Sequence, residues 1–221
     1  MTLAPTSPHR TTPPLESGDR LTQQQFHRLY ELAADQRHVE LIEGTVFMPS
    51  PTRSNLHGKP QASVIRWLGG FADRHPEVQL NGQVTIILDG RNEPEPDAVL
   101  YLKPEADGQS RLDDEDYIVG APELVVEISA SSASIDLGAK MTAYARNGVR
   151  EYIVWQTFDD VITWFALRDG DFVPIRPDAL GVIHSTVFPG LALDVGAMLA
   201  GDMKKVLDIQ RAIDSNDTES R

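Results

Sequence analysis

Apolar side chains recur at helical spacing in several stretches of the chain and at strand spacing between them. In "QQFHRLYELAAD" Phe26, Leu29, Tyr30 and Leu32 or Ala33 share one face, which predicts an amphipathic helix. Thr22 followed by Gln25 matches a capping box at its start. "HVELIEGTVFMPSP" reads as two short strands about Glu43-Gly44, a tight hairpin. Through "SNLHGKPQASVIRWLGGFADRHP" the residues Val64, Ile65, Leu68 and Phe71 return to helical spacing, and Pro60 belongs in the first turns or kinks the helix.

The pattern then changes. "EVQLNGQVTIILDG", "EPDAVLYL" and "ELVVEIS" are rich in aliphatic and β-branched residues and bounded by Gly, Pro or Asp, so they predict three strands. The acidic stretch "KPEADGQSRLDDEDYIVGAP" has little periodicity and reads as a loop. "SIDLGAKMTAYARNGV" predicts a helix with Leu137, Met141, Tyr144 and Ala145 on one face and Gly148 as its stop. "REYIVWQ" is a strand, and "VITWFALRDGDFVPI" a hairpin closed by Asp169-Gly170. "STVFPGLALDVGAMLAGD" ends in a short helix, and "MKKVLDIQRAI" is a small amphipathic one. A helix crossing between "ELVVEIS" and "REYIVWQ" favours a parallel pair inside a mixed sheet. The expected class is α/β (α+β): a mixed central sheet flanked by helices, with additional hairpins. Residues 1–20, rich in proline, read as a disordered arm. Residues 21–212 read as one domain and 213–221 as a polar tail.

Composition narrows the chemistry. The chain has no cysteine, which excludes disulfides, thiolate zinc sites and a cysteine nucleophile, and fits a cytoplasmic protein. No apolar run reaches the ~20 residues of a membrane helix. Prolines stand where a signal peptide would have its apolar stretch. Twenty Lys and Arg against 33 Asp and Glu give a formal charge of −13. Nonspecific nucleic-acid binding comes mainly from Lys and Arg. The charge therefore argues against tight DNA binding, though not against phosphodiester chemistry at a local site. The sequence has no G-x-S-x-G, G-x-x-x-x-G-K-[ST] or G-x-G-x-x-G motif, so Ser131, Ser132 or Ser134 with His57 makes a poor serine hydrolase. Trp67, Trp155 and Trp164 read as core or interface residues.

Two carboxylates stand out. Asp97 heads the apolar run of "NEPEPDAVLYLK", and Glu127 interrupts that of "LVVEIS". Burying a lone anion in such a strand is costly. Either Glu127 faces solvent by simple alternation, or the two acids share a hard cation across strands ~4.8 Å apart. Lys140 lies on the next helix, one turn beyond Asp136. It is either a solvated surface lysine or a charge returning to the pair.

"HVELIEGTVFMPSP", "EPDAVL", "APELVVEIS" and "SSASIDLGAKMTAYARNGVREYIVW" resemble, in order and spacing over about residues 25–200, the Uma-two-type restriction endonucleases of the PD-(D/E)xK superfamily. The resemblance implies a mixed sheet flanked by helices and Mg²⁺- or Mn²⁺-dependent hydrolysis of nucleic acid. It makes Pro96-Asp97 the "PD" and Glu127 the second acid; both would bind metal with the carbonyl of Ile128. The superfamily's usual lysine position falls on Ser129. A lysine on the following helix takes that part in the family, and here it is Lys140. Glu40 and His57 match a family acid and histidine with supporting roles. The family's "SPS" reads "SASS" here, without its proline. A homodimer is also implied. The rival expectation is a nuclease-fold binding or regulatory module with weak or no activity, which the acidic charge and displaced lysine favour.

Overall fold

The computed structural model describes residues 14–32, 38–49 and 51–219. In chain order the elements begin with α1 (Gln23–Leu32), β1 (Glu40–Ile42), β2 (Thr45–Phe47), α2 (Lys59–Ala72), β3 (Val78–Gly82) and β4 (Ile86–Ile87). Next come β5 (Ala98–Leu102), β6 (Arg111–Leu112), β7 (Ile118–Val119), β8 (Leu124–Ser129), α3 (Ala133–Ile135) and α4 (Met141–Asn147). The chain finishes with β9 (Glu151–Gln156), β10 (Val161–Arg168), β11 (Asp171–Pro174), β12 (Val182–His184), β13 (Ala192–Asp194), α5 (Val195–Leu199) and α6 (Met203–Glu219). Wide π-type turns run over Ser54–Gly58, leading into α2, and over Asp136–Lys140, joining α3 to α4.

Six strands form the central sheet in the order β11-β10-β9-β8-β5-β3. β8 and β9 are parallel, joined by the helical stretch 133–147; the other pairs are antiparallel. This is the expected mixed sheet flanked by helices. Alternation along the strands makes two layers. Ala98, Leu100, Leu124, Val126 and Ile128 pack with α2 and the C-terminal helices through Trp67, Leu68, Phe71, Met198 and Val206. Val99, Tyr101, Val125, Tyr152 and Val154 pack on the other face with Tyr144. Trp67 and Trp164 are fully buried in the first layer and meet edge to face.

Local signals account for most boundaries. Thr22 and Gln25 exchange the two capping-box bonds, Gln25 N–H to Thr22 Oγ1 and Thr22 N–H to Gln25 Oε1. Both tight hairpins, Glu43-Gly44 and Asp169-Gly170, have φ positive at both central residues, as the hairpin twist demands. Pro60 lies in the first turn of α2, and Gly148 ends α4 in the left-handed region.

Five stretches differ from expectation. "EVQLNGQVTIILDG" is not one strand: Gln83 turns the chain at φ 49°, and β4 joins β7 and β6 in a separate three-stranded sheet. The acidic stretch supplies β6 and β7. β12 and β13 pair ahead of α5. α6 runs on through the expected tail to Glu219, with Asp214 bound by Arg74 and His75. Of the expected arm, residues 1–13 lie outside the described residues, as does Ala33. Residues 14–20 run beside β2: Leu15 is buried, and Gly18 N–H donates to the Val46 carbonyl at 2.8 Å.

Candidate active site

Asp97 lies one residue before β5. β5 and β8 are antiparallel with Ala98 opposite Val126, so the next step of the register sets Asp97 level with Glu127. Opposed residues of an antiparallel pair point to the same face. That face is the one covered by the stretch 133–147. Glu127 is 4 % exposed and Asp97 7 %, so the solvent-facing alternative for Glu127 does not hold.

Lys140 Nζ sits 3.0 Å from Glu127 Oε1 and 2.8 Å from Glu40 Oε1, with Asp136 Oδ1 at 3.6 Å. Its ammonium is buried, not solvated. Tyr144 donates its hydroxyl to the same Glu127 oxygen at 2.8 Å. Glu40 Oε1 also accepts the Glu95 backbone N–H at 2.7 Å, which fixes β1 against the segment leading to Asp97. Asp97 Oδ2 accepts the Ile128 N–H at 2.7 Å, and its Oδ1 meets His57 Nε2 at 3.0 Å. All five residues expected from the sequence thus gather in one place. Asp97 with His57 and Glu127 with Lys140 and Glu40 are linked through the Glu127–Ile128 backbone.

Two members were not expected: Asp136 and Tyr144. Asp136 Oδ2 accepts the hydroxyls of Ser129 and Ser132, both at 2.5 Å. The small Ser129 side chain thereby anchors the start of the helix that carries Lys140. Their spacing, 136, 140 and 144, was the available signal. In a regular α-helix residues eight apart are about 80° apart around the axis. A π turn holds more residues per revolution and removes much of that drift, so the three line one stripe above Glu127. His57 also lies in a π turn, Ser54–Gly58.

The charges do not cancel. Glu40, Asp97, Glu127 and Asp136, each under 9 % exposed, face one ammonium and one imidazole. Burial, helped by the carboxylates of Asp136, Glu40 and Asp97, pushes the Glu127 carboxyl well above its usual range, and Lys140 opposes the rise. For Lys140 burial alone would favour the neutral amine. The carboxylates of Glu127, Glu40 and Asp136 outweigh it and hold the ammonium well above its ordinary value. His57 is raised by its bond to Asp97, against burial. Burial and then Glu127 keep the Tyr144 phenol protonated. A donor set of hard oxygens with surplus negative charge fits a divalent cation of the Mg²⁺ kind, which one or two carboxylates suffice to hold.

A crystal structure described as a putative nuclease belonging to DUF820, from Anabaena variabilis ATCC 29413, superposes with a TM-score of 0.63 at 14 % identity. The match covers 81 % of this chain and 98 % of that one, and establishes a shared fold. No curated protein matches the chain. No helix among the described residues is long and apolar enough to cross a membrane. A family model described as "Uma2: Putative restriction endonuclease" matches residues 23–196, which include the whole cluster around Asp97, Glu127 and Lys140, and the chain belongs to that family.

Proposed function

We propose that the protein is a Mg²⁺-dependent endonuclease, able to use Mn²⁺, that hydrolyses phosphodiester bonds of nucleic acid. The observation that carries the reading is the pair Asp97 and Glu127, buried on one face of the sheet within a cluster whose acids outnumber its cations. Family membership supports it. Asp97 and Glu127, with the carbonyl of Ile128, would hold the ion. Once bound, such an ion acidifies a water and polarises the scissile phosphate.

The chain's own groups have separable tasks. Lys140 stays protonated and has no lone pair to act as a base. It is a fixed positive charge that orients Glu127 and Glu40 and opposes negative charge growing on phosphoryl oxygens. Tyr144 holds Glu127 Oε1 from the same side; among the described residues Oε2 accepts no bond and is the oxygen available to a cation. The Ile128 N–H and His57 orient Asp97.

A second reading is a nuclease-fold binding module with little activity. The full engagement of Lys140 by carboxylates and of Asp97 by His57 favours it. Nicking of plasmid and cleavage of single-stranded DNA and RNA, with Mg²⁺ or Mn²⁺, separate the two. Metal-dependent cleavage by the wild type, lost in Asp97→Ala together with calorimetric Mg²⁺ binding, is the expected result. A wild type that neither binds metal nor cleaves leaves the module. The edge strand β11, with Val173 half exposed, would extend the sheet into a homodimer, and a monomeric mass in light scattering removes that part.

A further inference from the structure

A second group of metal-ligating side chains lies outside this cluster, where α1 meets the turn before β7. His27 and Glu31 are one turn apart on α1, and Glu115 comes from the acidic stretch 113–117. One ligand atom from each lies within 4.8 Å of the others. We propose that His27, Glu31 and Glu115 bind a divalent transition-metal ion of the zinc class, which ties α1 to the acidic turn independently of the sheet site.

The imidazole is prepared for a metal by what lies behind it. His27 Nδ1 stands 2.7 Å from Oε1 of Glu93, which is 1 % exposed. Gln23 Nε2 donates to the other oxygen of Glu93 at 2.8 Å. A buried carboxylate accepting from Nδ1–H leaves the lone pair on Nε2, and the same carboxylate–histidine pairing fixes tautomer and ring orientation in metal sites. Tyr117 packs edge-on against the imidazole, ring centres 4.8 Å apart.

The outward nitrogen faces carboxylates. His27 Nε2 is 3.8 Å from Glu115 Oε2, too far for a hydrogen bond. Two ligands on a tetrahedral zinc ion are about 3.4 Å apart, from metal–ligand distances of ~2.0–2.1 Å. Glu115 is exposed, so its side chain can close the difference. Tyr117 donates its hydroxyl to Glu31 Oε1 at 3.2 Å, orienting the second carboxylate from behind. One imidazole nitrogen with two carboxylate oxygens selects borderline divalent ions such as Zn²⁺ over Mg²⁺ or Ca²⁺, which prefer oxygen alone. Three protein ligands leave a position for water.

The test is zinc titration of the full chain, followed by calorimetry and by long-range ¹H–¹⁵N spectra of the histidines. In wild type, zinc should move the His27 Nε2 resonance while Nδ1 keeps its proton. In Asp97→Asn, which disables the sheet site, one zinc equivalent should remain. Adding Glu31→Gln and Glu115→Gln should weaken it at least tenfold. Both of those residues are exposed, so the fold should survive. An unmoved His27 resonance, no zinc bound by Asp97→Asn, or equal affinity in the triple variant overturns the proposal.

Discussion

Replacing Lys140 by methionine removes one charge and keeps most of the side-chain volume. The ammonium it deletes lies 2.8 Å from Glu40, 3.0 Å from Glu127 and 3.6 Å from Asp136, inside a region where each of these groups is under 9 % exposed. The three carboxylates would then face one another with no cation between them. Removing one partner of a buried ion pair typically costs about 3–5 kcal/mol. At about 2–4 °C per kcal/mol for a chain of this size, the melting temperature should fall by roughly 6–20 °C. The loss must depend on pH. Glu127 already has its folded-state pKa raised by burial, and without Lys140 the rise is larger. An acid whose folded pKa exceeds its unfolded one stabilises the fold below the unfolded pKa and loses that contribution as pH rises through the folded value. Urea unfolding at pH 5 and pH 8.5 should therefore show Lys140→Met close to wild type at the lower pH and far below it at the higher. Adding Mg²⁺ should raise the variant's stability more than the wild type's. A loss under about 1 kcal/mol, or one that does not change with pH, would refute the claim that this lysine is held by uncompensated buried acids.

Asp97→Asn should lower the pKa of His57, because its bond to Asp97 is the largest cause of the rise; an NMR titration reads this directly. The sign for stability follows: a raised histidine stabilises below its unfolded pKa of about 6.5 and loses that as pH climbs through its folded value, so the variant should lose most at acid pH. Tyr144→Phe removes one donor from the buried Glu127 carboxylate and should cost about 1–3 kcal/mol in urea unfolding, with metal affinity changed and the far-UV spectrum kept. Gly190→Ala should destabilise by about 2 kcal/mol or more. Its φ is +86°, and a Cβ there would lie 2.6 Å from Asp214 Oδ1, displacing the contact of α6 with Arg74 and His75.

Asp97 and Glu127 were legible because one heads and the other interrupts an apolar run. What the sequence could not show is that they oppose each other. That needs β5 and β8 to be antiparallel neighbours with Ala98 against Val126, a choice made by tertiary packing. Tyr144 does share a face with Leu137 and Met141, as their spacing predicts, but the reach of its hydroxyl to Glu127 depends on the π turn over Asp136–Lys140, which no apolar period announces. β6 and β7 have two residues each, too few for alternation to register. α6 outruns its apolar repeat because Asp214 is tied to Arg74 and His75, partners about 140 positions away in the chain.

The two π turns set the phase of the side chains that follow them. Turns of this kind are rare inside α-helices and occur mostly at functional sites. His57, Asp136 and Lys140 sit in such turns, and Tyr144 follows in α4. Deleting one residue between Asp136 and Lys140 would rotate everything downstream by about 100°, swinging Tyr144 off Glu127 while the strands stayed where they are.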